Sequence, residues 1–288
     1  MTKIYKSGYP GGLTLLMSLY YKDSPELFRS AVRSVFENDV IPDKYILVLD
    51  GDIGKILDSV VSEMSDLYPI YIIKLDKNYG LAYALNIGLA ATTTAWIARA
   101  DADDINLPGR FSAQLPFALD GYDVIGGWIE EVGSDGQHIA FRKLPTSHNE
   151  IVEFAKYRSP FNHMTVVYKV SSVKSVGCYP NLFLKEDYGL WGLMIGAGYK
   201  FINLPDVLVK ASAGIEMYKR RGGLRYVQSE YRLQIFLYKA GIKNFPNAVG
   251  LFFLRSFIFL LPSNLRGNFY KLFLRTGYMH NEKKYKVK

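Results

Sequence analysis

Three carboxylates, Asp101, Asp103 and Asp104, crowd into four positions directly after the run Trp96-Ile97-Ala98-Arg99-Ala100. That run is apolar but for Arg99 and too short for a helix, which predicts a buried strand. Asp101 and Asp103 are two apart, so an extended backbone would point both to one side. Paired hard-oxygen ligands suit Mg2+ or Mn2+ shared with substrate phosphates. A solvated acidic turn, with Asp104 capping a helix, would use the same three residues. A second acidic pair, Glu186-Asp187, heads an apolar helical stretch over 188–195.

These groups need elements to position them. Residues 13–20 (LTLLMSLY) read as a first buried strand. Ser24 then suits an N-cap and Pro25 a first helical position. Leu27, Phe28, Ala31, Val32 and Val35 give 25–36 a helical spacing. A second strand, 45–49 (YILVL), ends in Asp50-Gly51-Asp52. A helix at 54–67, a strand at 70–75, a helix at 81–91 after Asn78-Tyr79-Gly80 and a strand at 95–100 continue the pattern. This βαβαβαβ alternation predicts an α/β fold with a parallel sheet covered on both faces. Its strand ends carry Tyr20, Asp50, Asp76 and Asp101, at the edge where open α/β sheets bind ligands. Beyond Arg110 the pattern changes. A hairpin is predicted from 122–132 and 137–143 around Gly133-Ser134-Asp135-Gly136. Further strands are predicted at 164–170, 201–204 and 207–209.

With 288 residues, 49% hydrophobic and 22% charged, the chain can bury a large core. Its single cysteine, Cys178, excludes an internal disulfide framework and fits a reducing compartment. The first ten residues lack the apolar core of a signal peptide. The net charge of +8 is unevenly spread: residues 211–288 hold 15 Lys and Arg against three acids. That asymmetry points to a polyanionic partner surface, either nucleic acid or anionic lipid. Bases and aromatics interleave over 224–240. Residues 247–261 are nearly continuously apolar but shorter than the ~20 needed to span a bilayer. Residues 264–277 have the composition of an interfacial membrane helix. Packing of these faces on the domain or on a second subunit is the competing expectation.

Taken in order, the motifs VLDGD (48–52), NYGLAYALNIGL (78–89), RADADD (99–104), PGRF (108–111), KEDYGLW (185–191) and GYKFINLPDVL (198–208) form one pattern. Over about residues 11–210 it resembles the family 2 inverting glycosyltransferases of the GT-A fold. The likeness is greatest to bacterial enzymes that build O-antigen, capsule or exopolysaccharide units. The resemblance implies a nucleotide-sugar-binding catalytic domain at 1–210, followed by a basic helical region at 211–288. It implies a UDP-sugar donor and a Mn2+ or Mg2+ cofactor held by Asp103, with Asp101 on the metal through water or on the ribose. Ser18, Leu19, Tyr20, Asp50, Asn78, Gly80, Leu81, Asp101 and Ala102 would line the nucleotide-sugar pocket, Asp50 accepting from the uracil N3–H. Asp187 matches the family's catalytic base, and Glu186 would position it or contact the sugar. His163, Trp191, Arg220 and Arg221 are candidates for acceptor or phosphate contacts. His163 would serve equally as a structural residue, Trp191 as core, and Asn78, Gly80 and Asp50-Gly51 as ordinary turns.

The expected reaction is transfer of one hexose, with inversion to a β linkage, onto a lipid-diphosphate-linked saccharide in surface polysaccharide synthesis. It would occur at the cytoplasmic leaflet, reached through the C-terminal region. A nucleic-acid-binding protein would use the same basic, aromatic C-terminus. No recognisable nucleic-acid module supports it, and acidic strand ends would repel phosphates without metal. A nucleotidyltransferase would place a Gly-rich basic loop after the first strand, where this chain has Tyr20-Tyr21-Lys22-Asp23-Ser24.

Overall fold

The computed structural model describes residues 6–133, 135–212 and 222–262. β1 (Leu13–Leu19) and β2 (Lys44–Leu49) are buried on both faces. Leu13, Leu15, Met17 and Leu19 join Tyr45, Leu47 and Leu49 in one core. Leu16, Ile46 and Val48 face the other, as a period of two requires. Helices α1 (Pro25–Phe36) and α2 (Lys55–Leu67) cover the first face through Phe28, Val32, Val61 and Met64. Helix α3 (Leu81–Ala91) covers the second through Ala84, Leu85 and Leu89. Gly88 permits that approach, since a Cβ there would lie 2.2 Å from Leu16 Cδ1. Ser24 caps α1 as expected, accepting from the Leu27 N–H at 3.3 Å.

With β3 (Ile70–Lys74) and β4 (Trp96–Arg99), these strands form a parallel half-sheet in the order β3-β2-β1-β4. The C-terminal ends of all four lie along one edge. The rest of the nine-stranded sheet is mixed. It comprises β5 (Ile105–Asn106), β6 (Val124–Val132), β7 (His138–Arg142), β8 (Val167–Lys169) and β9 (Phe201–Ser212). β8 runs antiparallel to both β4 and β6, and β9 runs parallel to β6. β6 and β7 form the expected hairpin. Helices α4 (Arg110–Leu119), α5 (His148–Ala155), α6 (Val170–Ser175) and α7 (Glu186–Gly196) fill in around it.

Two segments differ from the sequence expectation. The strand expected at 164–170 divides into a 3-10 turn at His163–Thr165, β8, and the start of α6. Thr165 accounts for the break: its hydroxyl donates to the Asn162 carbonyl at 2.8 Å and accepts from the Gly127 N–H at 3.0 Å. Such side-chain bonds to backbone compete with a strand ladder. The two short strands expected at 201–204 and 207–209 are one strand, β9. Pro205 lacks an N–H, and register shifts against β6 around Trp128 absorb it.

At the C-terminal end, α8 (Leu224–Lys239) and α9 (Phe245–Leu260) follow. Leu233, Leu237 and Ile242 bury against Leu182 and Tyr188 at α7. A boundary at residue 210 would fall inside β9. Among the described residues, no helix is long and apolar enough to cross a membrane. The helix expected at 264–277 lies outside the described residues.

Candidate active site

The C-terminal ends of β1 and β2 are tied to the loop that follows β3. Asp50 is buried and carries this tie: its Oδ1 accepts from the Tyr79 N–H at 2.7 Å and its Oδ2 from the Gly80 N–H at 2.9 Å. Asn78 Nδ2 donates to the Asp50 carbonyl at 3.2 Å. Gly51 has a φ of +88°, and a Cβ there would lie 2.6 Å from the Asn78 nitrogen. The two loops therefore touch backbone to backbone, which only glycine permits. Gly80, at φ +90°, opens α3 into Leu81. The Asp50 carboxylate thus orders the loop at Tyr79 and Gly80, and each oxygen keeps one lone pair. Ser18 is half-buried and Tyr20, just past the end of β1, is exposed. The Leu19 side chain is core, and its carbonyl accepts from the Asp50 N–H at 2.8 Å.

Arg99 ends β4 with 1% of its surface exposed. Strand alternation puts it on the Ile97 face, and its Nη1 pairs with Asp101 Oδ1. Its carbonyl accepts from Arg110 Nη2 at 2.7 Å, a buried support from α4. The charge of Arg99 acts on Asp23, Asp104, His163, Tyr168, Tyr179 and Glu186. One strand-terminal cation therefore sits among the acidic groups contributed by β1, β4 and α7. A cation in an otherwise apolar strand was the sequence signal for it.

The acidic cluster is arranged differently from the simple strand picture. The chain turns at Ala102 and Asp103 instead of running extended, so spacing alone does not align Asp101 with Asp103. Ala102 is buried, and the Asp103 carbonyl accepts from Ser212 Oγ at 2.7 Å, anchoring the turn to β9. Asp104 is buried, with Oδ1 accepting from the Ser212 N–H at 2.9 Å and Oδ2 lacking a hydrogen-bond partner among the described residues. Burial, then the charges of Asp101 and Asp103, push its pKa well above the ordinary carboxylate range. Asp23, in the loop after β1, joins this cluster. Burial raises it to about 7, with Asp103 and Asp101 adding to the rise. Sequence reasoning passed over Asp23, because it stands in an unremarkable polar loop and is near Asp101 only in space. Among the described residues, no three His, Cys, Asp or Glu side chains group as a metal cage. An orphaned carboxylate oxygen beside two further carboxylates is nevertheless the local excess of negative charge that a divalent cation relieves. Few protein oxygens, completed by water and substrate phosphates, is the ligand set Mg2+ or Mn2+ takes. These residues fit such an ion.

The head of α7 supplies the other acidic pair. Glu186 is buried; burial first, and the charge of Asp187 second, raise it to about 7. Burial also raises the half-buried Asp187, opposed by the Tyr188 N–H and the charge of Lys185. Ser159 Oγ donates to Asp187 Oδ2 at 3.4 Å. A carboxylate with a raised pKa on a helix head is a stronger proton acceptor than one in water. Just before it, Leu184 adopts φ +59°, a left-handed conformation. For a residue with a branched side chain this costs roughly 1–2 kcal/mol and persists only where the surroundings hold it.

The remaining candidates divide. His163 Nε2 lies 2.9 Å from Tyr179 Oη, and burial holds the ring neutral, with its pKa well below the usual histidine value. Tyr179 is in turn fixed by Asn86, whose amide exchanges two hydrogen bonds with its backbone at 2.9 and 3.0 Å. Trp191 takes the core position that is its alternative reading. It is 0% exposed, with its ring centroid 5.1 Å from that of Phe161. It follows Asp187 by one turn of α7, and its ring packs in the core. Arg220 and Arg221 lie outside the described residues.

Residues 16–175 match the model of the family described as glycosyl transferase family 2. The chain is 39% identical over 265 residues to a Haemophilus influenzae glycosyltransferase, covering 91% of this chain and 98% of that one. It is 37% identical over 265 residues to the Escherichia coli UDP-Gal:alpha-D-GlcNAc-diphosphoundecaprenol beta-1,3-galactosyltransferase, covering 91% and 96%. The Erwinia amylovora amylovoran biosynthesis glycosyltransferase AmsE is 37% identical over 254 residues, with 86% and 94% covered. Among solved structures, S. aureus TarS 1-349 with UDP-GlcNAc superposes with a TM-score of 0.62 at 16% identity, covering 92% of this chain and 76% of that one. This chain spans 46% of the longer TarS chain. The Pyrobaculum calidifontis mannosyltransferase PcManGT, in complex with GDP-Man and Mn2+, gives 0.55 at 15% identity, with 88% and 77% covered. The mixed sheet flanked by helices is the GT-A fold of these enzymes. With a parallel nucleotide-type half-sheet, acidic groups at its C-terminal edge and close relatives along nearly its whole length, this chain is an enzyme belonging to the family 2 glycosyltransferases.

Proposed function

We propose that this enzyme transfers one hexose from a UDP-sugar to a lipid-diphosphate-linked saccharide during surface polysaccharide synthesis, inverting to a β linkage. The observation that carries it is the convergence at one sheet edge of the Asp50-pinned loop, the Asp101–Asp104 turn and the Glu186-Asp187 helix head. The UDP-galactosyltransferase relative, 37% identical, supports the donor and acceptor classes. The nucleotide would lie against the backbone of 18–20 and the loop 78–81, with Asp50 free to accept from the base. Asp103 and Asp101 would hold Mn2+ or Mg2+, which offsets the charge gained by the departing diphosphate. Asp187 would take the proton of the acceptor hydroxyl as its oxygen bonds to the anomeric carbon and the diphosphate leaves. Glu186, behind it, would orient that carboxylate or contact the sugar, and His163 would support the same wall through Tyr179.

Calorimetry tests the donor half. UDP is expected to bind in the presence of Mn2+, with affinity at least ~10-fold weaker without metal or in Asp103→Ala, as loss of a charged ligand predicts. Metal-independent UDP binding that survives Asp103→Ala would remove the metal role. A panel of UDP-hexoses, starting with UDP-galactose and UDP-glucose, then identifies the donor.

The enzyme is also proposed to work at the cytoplasmic face of the membrane as a peripheral protein. On α9, Phe253, Leu254, Phe257 and Leu260 are all exposed, and the basic excess lies in the same terminal region. Full-length protein is expected to cosediment with vesicles containing anionic phospholipid at low salt and to be released by high salt. Equal partitioning onto purely zwitterionic vesicles would argue against the charge-driven part of that reading.

A further inference from the structure

The left-handed Leu184 stands two residues before the acidic pair and is gripped on both sides by α8. Ser229 Oγ donates to the Phe183 carbonyl. The next residue, Glu230, is 0% exposed, and its Oε2 lies 3.6 Å from Lys185 Nζ. That is an ion pair without a hydrogen bond, and Oε2 has no hydrogen-bond partner among the described residues. Glu230 Oε1 accepts from Arg255 Nη1 at 3.0 Å and Gln234 Nε2 at 2.6 Å. Gln234 Oε1 accepts from Lys243 Nζ at 2.9 Å, and Arg255 Nη2 reaches the Tyr157 carbonyl. Lys185 also lies over the Phe259 ring of α9, 5.8 Å from its centroid. A buried carboxylate is expensive unless paired, and here its partners come from the α7 approach and from α9. The contact is close-packed too, since a Cβ on Gly192 would lie 2.6 Å from Leu237 Cδ2.

We propose that Ser229 and Glu230 are positioning residues for transfer: they hold Phe183 and Lys185 on either side of the strained Leu184 and thereby fix Glu186 and Asp187. The C-terminal helices are thus part of the catalytic apparatus as well as a covering for α7. This rests on Asp187 being the base. Three further features support it. A strained residue beside functional groups persists only when over-determined. The two gripping residues are consecutive on one helix. The charge of Lys185 acts directly on Asp187.

The test is a double-mutant cycle on the full-length enzyme, using the donor selected by the UDP-hexose panel. Glu230→Gln and Lys185→Met are each expected to lower kcat roughly 10- to 100-fold, the scale of a small misplacement of a catalytic group. The Kd for UDP with Mn2+ is expected to stay within about twofold, because that pocket lies at β1, β2 and β4. The double variant is expected to be no slower than the slower single variant. Should Glu230→Gln fail to fold, Lys185→Met and Ser229→Ala carry the same reading, since neither removes the buried carboxylate. Single variants with wild-type kcat, or losses that simply add, would overturn the clamp. Asp187→Asn, run alongside, separates the two ideas. Transfer that survives in it overturns the base assignment; transfer lost in it but unchanged in Glu230→Gln and Lys185→Met overturns the clamp alone.

Discussion

Asp187→Asn is expected to lower kcat by roughly 10²- to 10⁴-fold while leaving the affinity for UDP and Mn2+ unchanged. The magnitude is that of a general base removed from a proton transfer. The amide has nearly the size and shape of the carboxylate, so the α7 head keeps its packing, but its nitrogen and carbonyl cannot take the acceptor proton. The wild-type enzyme should also show a characteristic pH dependence. Burial raises Asp187 from the ordinary aspartate value, and Glu186 beside it is raised to about 7. A base works only when ionised, so kcat should rise with pH through a limb lying above about 4. The two carboxyls are neighbours, and that limb belongs to the pair. Single-turnover rates across the acidic range, for wild type and Glu186→Gln, provide the check. A wild-type rate that is flat down to the ordinary aspartate pKa would remove the buried-base reading.

Arg99→Met is expected to destabilise the fold. The guanidinium is fully enclosed and is paired with Asp101, while Asp104 lies buried nearby. Removing the cation leaves the Asp101 carboxylate without its compensating charge; because Asp101 is 30% exposed, the cost falls below the roughly 3–5 kcal/mol of a fully buried pair. For a chain of this size each kcal/mol shifts Tm by a few degrees. A fall on the order of 5 °C is therefore expected. Adding Asp101→Asn should restore part of it, because the penalty lies in the stranded charge and not in lost volume. Arg99→Lys should be intermediate, since an ammonium keeps the charge but lacks the planar fork. Thermal melts of the three variants decide it. An Arg99→Met protein melting with the wild type would mean that the cluster simply protonates, and that Arg99 does not hold the site together.

The parallel half of the fold was legible in the sequence because its signals are local. Apolar runs such as LTLLMSL and YILVL leave little choice but a strand buried on both faces. Ser24-Pro25 announces its helix through the chemistry of the cap. Strand ends converge by topology alone, so the acidic residues after β2 and β4 could be placed together before any coordinates. The mixed half was less legible. Its breaks depend on contacts between distant segments: Thr165 bonds to Gly127, and Pro205 is absorbed by a register shift against Trp128. No local pattern encodes either.

By itself, then, the sequence determined the α/β alternation and the family, and it singled out the carboxylates proposed here to carry the chemistry, because each is written in residue type and spacing. Tertiary structure alone decided how those groups are tuned and held. It put Asp23 beside Asp101, buried Trp191 in the core, tied each Asp50 oxygen to the neighbouring loop by one hydrogen bond, and set Glu230 against the approach to Asp187. Burial and electrostatic pairing are properties of what lies nearby in space. Residues 45 positions apart, like Lys185 and Glu230, acquire them only when the chain has closed.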